Sequence, residues 1–315
     1  MIVSRLVRLT FSTFAAVVML SACTSSGSVP NTNGAATGPP LSRAAHADLL
    51  YVSGGCGGTC ILSYPKGKPV GSLAVSGASL CSDKNGNVFV PTTDGSGHAV
   101  VYEFAHGGTQ PIATLTVDGI LAEGCSVDPS SGNLAVTYLC HNCDYGPVDV
   151  FANAQGSPKT YFKSGVFLSY CGYDDKGNLF ADGASSGFAL LELPSGGSSL
   201  EPISVSQSIS TAGAVQWDGS NLAIEDISHP AIYRFSVSGS TATLAGTTTL
   251  KNAGSFVAQS WIQGKNVIVP FGGASYSAEY VGFWKYPKGG DAKKVLKKHL
   301  DATAISGVTV STASM

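Results

Sequence analysis

Two closely spaced cysteine pairs are the residues best suited to chemistry in this sequence. Cys140 and Cys143 flank His141 in the segment CHNC, and Cys56 and Cys60 enclose the segment GGT. Thiolates and imidazoles are ligands that zinc prefers, and thiols this close also form local disulfides in oxidising compartments. A c-type haem site is excluded because aspartate follows the second cysteine of CHNC. Whether each pair binds zinc or forms a disulfide depends on the cellular compartment and on the secondary-structure elements that hold the cysteines.

Three histidines and a glutamate form a second candidate site. His98, His141 and His229 lie in polar segments, and Glu225 stands four residues before His229 in the segment EDISH. If these side chains converged, they would suit a zinc ion. Such a site would support a metal-dependent hydrolase or lyase, and this activity is the alternative to the interpretation developed below.

The N-terminus has the pattern of an export signal. Arg5 and Arg8 precede an apolar run, which continues to Leu20 and is too short to span a bilayer comfortably. The segment LSAC, ending at Cys23, resembles the lipobox of bacterial lipoproteins, in which cleavage falls before the cysteine and its thiol takes a diacylglycerol. We therefore predict a signal peptide over residues 1–22 and lipidation at Cys23. The expected location is the cell envelope, extracytoplasmic and lipid-anchored, either periplasmic or at the cell surface.

Composition separates a tether from a folded domain. Residues 23–46 are rich in Ser, Thr, Gly, Asn and Pro, so we predict a lipidated cysteine followed by a flexible tether. Residues 47–312 are long enough for one large repeat-built domain. Only 12% of the residues are charged and the net charge is −2, so nucleic-acid binding is not expected. Because an exported domain meets oxidising surroundings, we predict the disulfides Cys56–Cys60 and Cys140–Cys143.

A repeat of about 45 residues runs through the domain. Its mark is a turn that ends in asparagine and leads into an apolar strand. The asparagines are Asn87, Asn133, Asn178, Asn221 and Asn266, at steps of 46, 45, 43 and 45. A degenerate copy at 47–53 makes six. Each copy has the pattern of four short antiparallel strands, and no segment is convincingly helical.

These features predict an all-β fold, a six-bladed β-propeller. The segment ISGVTVS at 305–311 matches a first strand without a second, whereas the first copy lacks a first strand. We therefore expect the C-terminal strand to complete the first blade and close the ring, which removes exposed sheet edges.

The repeat motif, represented by GCSVDPSSGNLAV, resembles the units of NHL-repeat and gluconolactonase-like propellers. The resemblance covers nearly all of residues 48–311 and implies architecture more than activity. Such propellers include metal-dependent lactonases, lyases and modules that only bind. The metal ligands of the lactonases have no residue-by-residue match in this sequence, so the resemblance does not imply that activity here.

Propeller topology assigns the candidate residues to two faces. The loops between second and third strands, and the links between blades, form a loop face that carries both cysteine pairs and the three histidines. The hairpin turns between first and second strands, and those between third and fourth strands, form the opposite face, which we call the turn face. There the repeated Asp or Gln residues could suggest calcium, but we predict that they cap their own turns.

Two further sets of residues are expected to fill space between blades. Cys81, Cys125 and Cys171 occupy nearly equivalent first-strand positions and are predicted to behave as small apolar core residues. Trp217 and Trp261 are predicted at matching first-strand positions, where they would pack between blades or stack on a sugar or apolar ligand near the channel.

The sequence therefore predicts a binding or scaffolding module rather than an enzyme. Its partners would be the membrane, through the N-terminal lipid, and an unidentified protein, peptide or glycan at the loop face. No cofactor is expected, and zinc or calcium belongs to the alternative.

Overall fold

The computed structural model describes residues 46–272, 277–298, 300–302 and 304–313. The predicted signal peptide, Cys23 and all but the last residue of the predicted tether lie outside these ranges. Within them the chain forms six β-sheets arranged as the blades of a six-bladed propeller, as predicted. A 3-10 turn at Ala152–Ala154 interrupts this pattern. The described residues include no helix of the length and apolarity needed to cross a bilayer.

The strands follow the six sequence repeats. Blades 1 and 2 contain β1 (Leu49–Gly55), β2 (Gly58–Ser63), β3 (Pro69–Leu73), β4 (Cys81–Ser82), β5 (Val88–Thr93), β6 (Ala99–Phe104) and β7 (Pro111–Thr116). Blades 3 and 4 contain β8 (Leu121–Val127), β9 (Leu134–Leu139), β10 (Val148–Phe151), β11 (Lys159–Tyr161), β12 (Phe167–Tyr173), β13 (Leu179–Ala184), β14 (Phe188–Leu193) and β15 (Glu201–Pro202).

The last two blades carry short additional strands. Blade 5 contains β16 (Ser204–Val205), β17 (Val215–Trp217), β18 (Leu222–Asp226), β19 (Ala231–Ser238) and β20 (Thr241–Lys251). Blade 6 contains β21 (Phe256–Val257), β22 (Trp261–Gln263), β23 (Asn266–Gly272), β24 (Tyr280–Lys285) and β26 (Lys294–Leu296). Strand β25 (Gly290–Asp291), between β24 and β26 in the chain, belongs to the sheet of blade 5, and β27 (Gly307–Ser311) follows β26. Strands β16 and β25 pair in parallel with β20.

The C-terminal strand closes the ring. Strand β27 pairs antiparallel with β1, so that Leu49 lies opposite Ser311 and Ser53 lies opposite Gly307. Blade 1 thus takes its innermost strand from the end of the chain and its other three strands from the beginning. This closure confirms the prediction from the unmatched half-repeats.

The repeated turns are held by their own aspartates. Asp83 accepts hydrogen bonds through Oδ1 from the backbone N–H groups of Asn85 (2.9 Å) and Asn87 (2.7 Å). Asp174 caps the equivalent turn of blade 4 in the same way. Gly86 takes a positive φ of 85°, which glycine adopts without the steric cost of a side chain. These carboxylates therefore serve the turns, as predicted.

The tetrapeptide YPKG, present twice in the sequence, connects neighbouring blades. The Tyr286 hydroxyl donates to Asp218 Oδ2 (2.7 Å) on the turn face of blade 5, and that carboxylate also accepts from Arg234 Nε (2.6 Å). In blade 1 the hydroxyl of Tyr64 accepts from Asn266 of blade 6 (3.4 Å). Both copies therefore fix a turn of one blade to the blade before it.

The hydrophobic core consists of six clusters, and each cluster lies between two adjacent blades. Tyr51 and Phe104 belong to the cluster of blades 1 and 2, for example, and Ile224 and Phe180 to that of blades 4 and 5. Each sheet is therefore covered on both faces. This explains why the second strands are apolar almost throughout rather than alternating.

One prediction about the core is wrong. Cys81 and Cys125 are buried, but they form a disulfide that joins the first strands of blades 2 and 3. Cys171, at the equivalent position of blade 4, is a buried free thiol. The Cα atoms of Cys81 and Cys125 lie 5.7 Å apart on adjacent first strands, close enough for a disulfide to cross-link the two blades.

Candidate functional site

Both predicted cysteine pairs are joined by disulfide bonds at the loop face. The Cys56–Cys60 bond spans the tip of the hairpin between β1 and β2, and Cys60 is fully buried in β2. The Cys140–Cys143 bond closes the loop that follows β9, where Asn142 takes a positive φ of 60°. Disulfide sulfurs are not available as thiolate ligands. Each bond therefore fixes the shape of a surface loop.

The candidate metal ligands do not form one site. The side chains of His98 and His229 are 69% and 66% exposed, and each lies near an aspartate of its own loop, Asp94 at 3.8 Å and Asp226 at 3.6 Å. His141 is exposed at the tip of the disulfide loop. Among the described residues, no three His, Cys, Asp or Glu side chains are grouped so that they could hold a metal ion.

Glu225, the fourth candidate ligand, connects two blades instead. Its side chain is fully buried, and Oε2 accepts the backbone N–H of Ala214 (3.3 Å) in its own blade and of Ser260 (3.2 Å) in blade 6. Burial in this low-dielectric position raises the pKa of Glu225 to about 8. Because no solvent reaches this carboxyl group, it is unsuited to contact a substrate or metal in this conformation.

The position that Glu225 occupies in blade 5 carries, in four of the blades, a side chain that bonds to the next blade. The residues are Ser53, Thr137, Asp182 and Glu225. Thr137 Oγ1 donates to the carbonyl of Ser169 in blade 4 (2.6 Å), and Asp182 Oδ2 accepts from the N–H of Gly213 in blade 5 (3.0 Å). Together these four residues form an inter-blade ladder that satisfies backbone groups near the channel.

The central channel contains a cavity of about 220 Å³, lined in part by Tyr170, Trp217 and Trp261. The tryptophans are offset by one residue rather than matched, because Trp217 lies opposite Leu222 whereas Ile262, not Trp261, lies opposite the equivalent Val267. The volume is below the roughly 300–1,000 Å³ of typical small-molecule pockets.

The amide groups in this cavity are already bonded. Gln216 accepts from the N–H of Ile262 (2.7 Å) and donates to its carbonyl (3.0 Å). Gln259 Oε1 accepts from the N–H groups of Leu80 and Val308, both at 3.1 Å. These amides therefore join blades to one another.

Carboxyl groups around Tyr170 are held toward their protonated forms. Burial raises the pKa of Glu123 to about 7, and burial also raises the pKa of Asp182 well above its ordinary value. The pKa of the Tyr170 phenol is raised mainly by burial, and also by the nearby charges of Glu225, Asp182 and Glu123. Burial therefore disfavours the ionised forms of these groups.

A better candidate for recognition lies on the loop face. Exposed large apolar side chains occur there at Ile120 (42% exposed), Phe162 (52%) and Phe167 (43%). The ring of Phe162 stacks on that of Tyr145 with centroids 4.3 Å apart. We call Ile120, Tyr145, Phe162 and Phe167 the apolar patch. Clustered exposed apolar side chains mark interaction surfaces, whereas single ones are unremarkable.

The disulfide loop stands within this patch. Tyr145 lies two residues after Cys143, and the adjacent Gly146 pairs with Phe167. Ile120 donates its N–H to the carbonyl of Leu139 (2.9 Å), the residue before Cys140. The Cys140–Cys143 bond therefore fixes the backbone on which the patch is built.

A groove continues from the patch along blade 4. It has a volume of about 520 Å³ and is lined by Lys163 and Val166, which lie between Phe162 and Phe167, and by Phe188 and Ile209. The patch and groove together offer an apolar surface of the kind that binds a protein segment. Sequence reasoning placed recognition on this face but missed these residues, because their exposure depends on how the blades pack.

Comparison with known proteins identifies the fold and no family. No family model matches the chain, and no curated protein is similar to it. A protein of unknown function from Bacteroides caccae has a similar structure, with a TM-score of 0.62, 12% identity, and coverage of 84% of this chain and 98% of the other. A chain from a nidogen/laminin complex has a TM-score of 0.63 at 14% identity, covering 85% of this chain and 100% of that one.

Proposed function

We propose that the protein is a membrane-anchored, extracytoplasmic binding or scaffolding module that holds a protein partner on the loop face of its propeller. The observation that carries this proposal is the apolar patch, whose Phe162 and Phe167 are exposed beside a disulfide-fixed loop and a groove. A closed ring with bonded channel amides supplies the rigid scaffold, so little conformational entropy is lost when a partner docks.

The lipobox-like segment ending at Cys23 supports the anchor, and the disulfides suit an oxidising compartment. The repeat motif supports a relation to NHL-like or gluconolactonase-like propellers. Incorporation of a labelled fatty acid that is lost in the Cys23→Ser variant tests the anchor separately from the recognition surface.

Site-specific photocross-linking tests the recognition surface. A photoreactive phenylalanine analogue is placed at Phe162, and in a matched control at Ile112. Ile112 is 59% exposed but lies on β7, the outer strand of blade 2. We expect one defined cross-linked protein from position 162 and not from position 112. Identical products from both positions, or products only from position 112, would contradict the proposal.

A further inference from the structure

Lysines are concentrated where blades 6 and 1 meet on the turn face. We call this surface the basic sector, and its lysines are Lys66, Lys68, Lys265, Lys285, Lys288, Lys293 and Lys294. The turn-side segments that carry them, residues 47–48, 64–68, 264–266 and 285–294, contain two acidic residues, Asp48 and Asp291. Seven lysines against two aspartates leave five excess positive charges, although the whole chain has a net charge of −2.

Contacts between the two blades make this sector one surface. Lys294 Nζ donates to the backbone carbonyls of Pro65 (2.8 Å) and Lys66 (2.6 Å), across the junction from blade 6 to blade 1. Lys285 lies opposite Asn266, whose amide reaches the hydroxyl of Tyr64 in blade 1. The seven lysines are therefore held on a common rigid support.

Most lysines of the basic sector project into solvent, and Lys285 and Lys288 are two of them. Lys285 and Lys288 are exposed, and within the described part of the chain neither ammonium group makes a hydrogen bond or ion pair. Their charges are therefore available to an external anion.

The chain enters the domain at the same place. The backbone carbonyl of Asp48, the residue before β1, accepts from the N–H of Tyr64 (2.8 Å) within the basic sector. An anchor at Cys23 would be separated from His46 by 23 residue steps, which span about 80 Å at most. The tether would therefore join the domain on the side of the ring that carries the lysines.

We propose that the basic sector docks on anionic lipid headgroups and so turns the loop face away from the membrane. This orientation rests on the proposed anchoring at Cys23, whereas the lipid-binding surface itself does not. Each lysine near an anionic surface contributes roughly 1 kcal/mol, and the contribution decays within a Debye length. With the apolar patch on the opposite face, its partner would meet it from the aqueous side.

Vesicle sedimentation tests this proposal on the chain with Cys23→Ser, which takes no lipid. The vesicles are neutral, or contain about one third anionic lipid. We expect binding to the anionic vesicles only, lost at about 0.5 M salt, where the Debye length is roughly 4 Å. The Lys285→Glu/Lys288→Glu variant should lose at least about tenfold in affinity, because four units of charge change at the contact.

The control variant is Lys163→Glu/Lys298→Glu, which makes the same charge change at exposed lysines on the loop face. We expect it to bind the anionic vesicles within about twofold of the parent. Equal losses in the two variants, or equal binding to neutral and anionic vesicles, would overturn the proposal. Binding of the parent to polyglycerol phosphate but not to vesicles would also overturn it, in favour of an envelope polyanion. A chain that binds vesicles but takes no fatty acid at Cys23 would refute the anchor alone.

Discussion

Replacing Glu225 with glutamine should change how stability depends on pH. Burial raises the pKa of Glu225 to about 8, from an ordinary value of 4.5. Between these two values the folded chain keeps a proton that the unfolded chain has released. The stability associated with this proton is fully present below about pH 4.5 and is lost as the pH rises through 8.

The magnitude follows from the two pKa values. Between pH 5 and pH 7.5, linkage predicts that Glu225 removes about 3 kcal/mol from the free energy of unfolding. Glutamine keeps a side-chain oxygen for the N–H groups of Ala214 and Ser260, and it does not titrate. We therefore expect the variant to gain about 3 kcal/mol relative to the parent over this interval.

Urea unfolding of both chains at the two pH values measures this difference. The contributions of other titrating groups are largely common to both chains and cancel in the comparison. Glu279→Gln removes an exposed carboxylate as the control and should leave the difference within about 0.5 kcal/mol. Parallel pH profiles for the parent and Glu225→Gln would refute a buried, protonated Glu225.

Three other outcomes follow from the disulfides and the inter-blade ladder. A chain beginning at residue 24 has seven cysteines, and the denatured protein should show one free thiol, Cys171, whereas three or more would contradict the inter-blade bond. Replacing both cysteines of Cys81–Cys125 should lower the free energy of unfolding by about 4 kcal/mol, whereas replacing both cysteines of Cys140–Cys143 should lower it by about 2 kcal/mol. The difference arises because the closed segments are 44 and 3 residues long. Equal losses in urea titrations would contradict this order. Ser53→Ala should cost about 1–3 kcal/mol, because the N–H and carbonyl of Gly77 both lose a partner, and an unchanged urea midpoint would contradict the ladder.

The architecture could be predicted because the repeat has a strong local signal. The asparagines recur at a nearly constant step, and each follows tight-turn residues that specify a hairpin. The unmatched first strand at 305–311 then predicted how the ring closes. These features depend on residues close together in the sequence, so no knowledge of packing was needed.

The role of Glu225 could not be recognised as easily. Thr137, Asp182 and Glu225 each stand four residues after a repeat asparagine, and this spacing is visible in the sequence. However, the three side chains differ in length and charge, so they do not look like one motif. Their common task is to satisfy backbone groups of the next blade, and only the ring geometry shows which groups those are.

The cysteines illustrate a second limit. Cys81, Cys125 and Cys171 are separated by steps of 44 and 46 residues, so the sequence treats the two neighbouring pairs alike. Which pair bonds depends on the relative positions of adjacent first strands. The structure selects Cys81–Cys125 and leaves Cys171 buried and free.

The most direct test of the proposed function is the affinity of the partner captured at Phe162. We would measure it for the Phe162→Ser/Phe167→Ser variant and for the Ile112→Ser control. If the apolar patch is the recognition surface, two aromatic side chains that the partner covers should together contribute at least about 2 kcal/mol, so that the variant loses about 30-fold in affinity. The control should bind as the parent does. Equal affinities for the patch variant and the control would contradict the account.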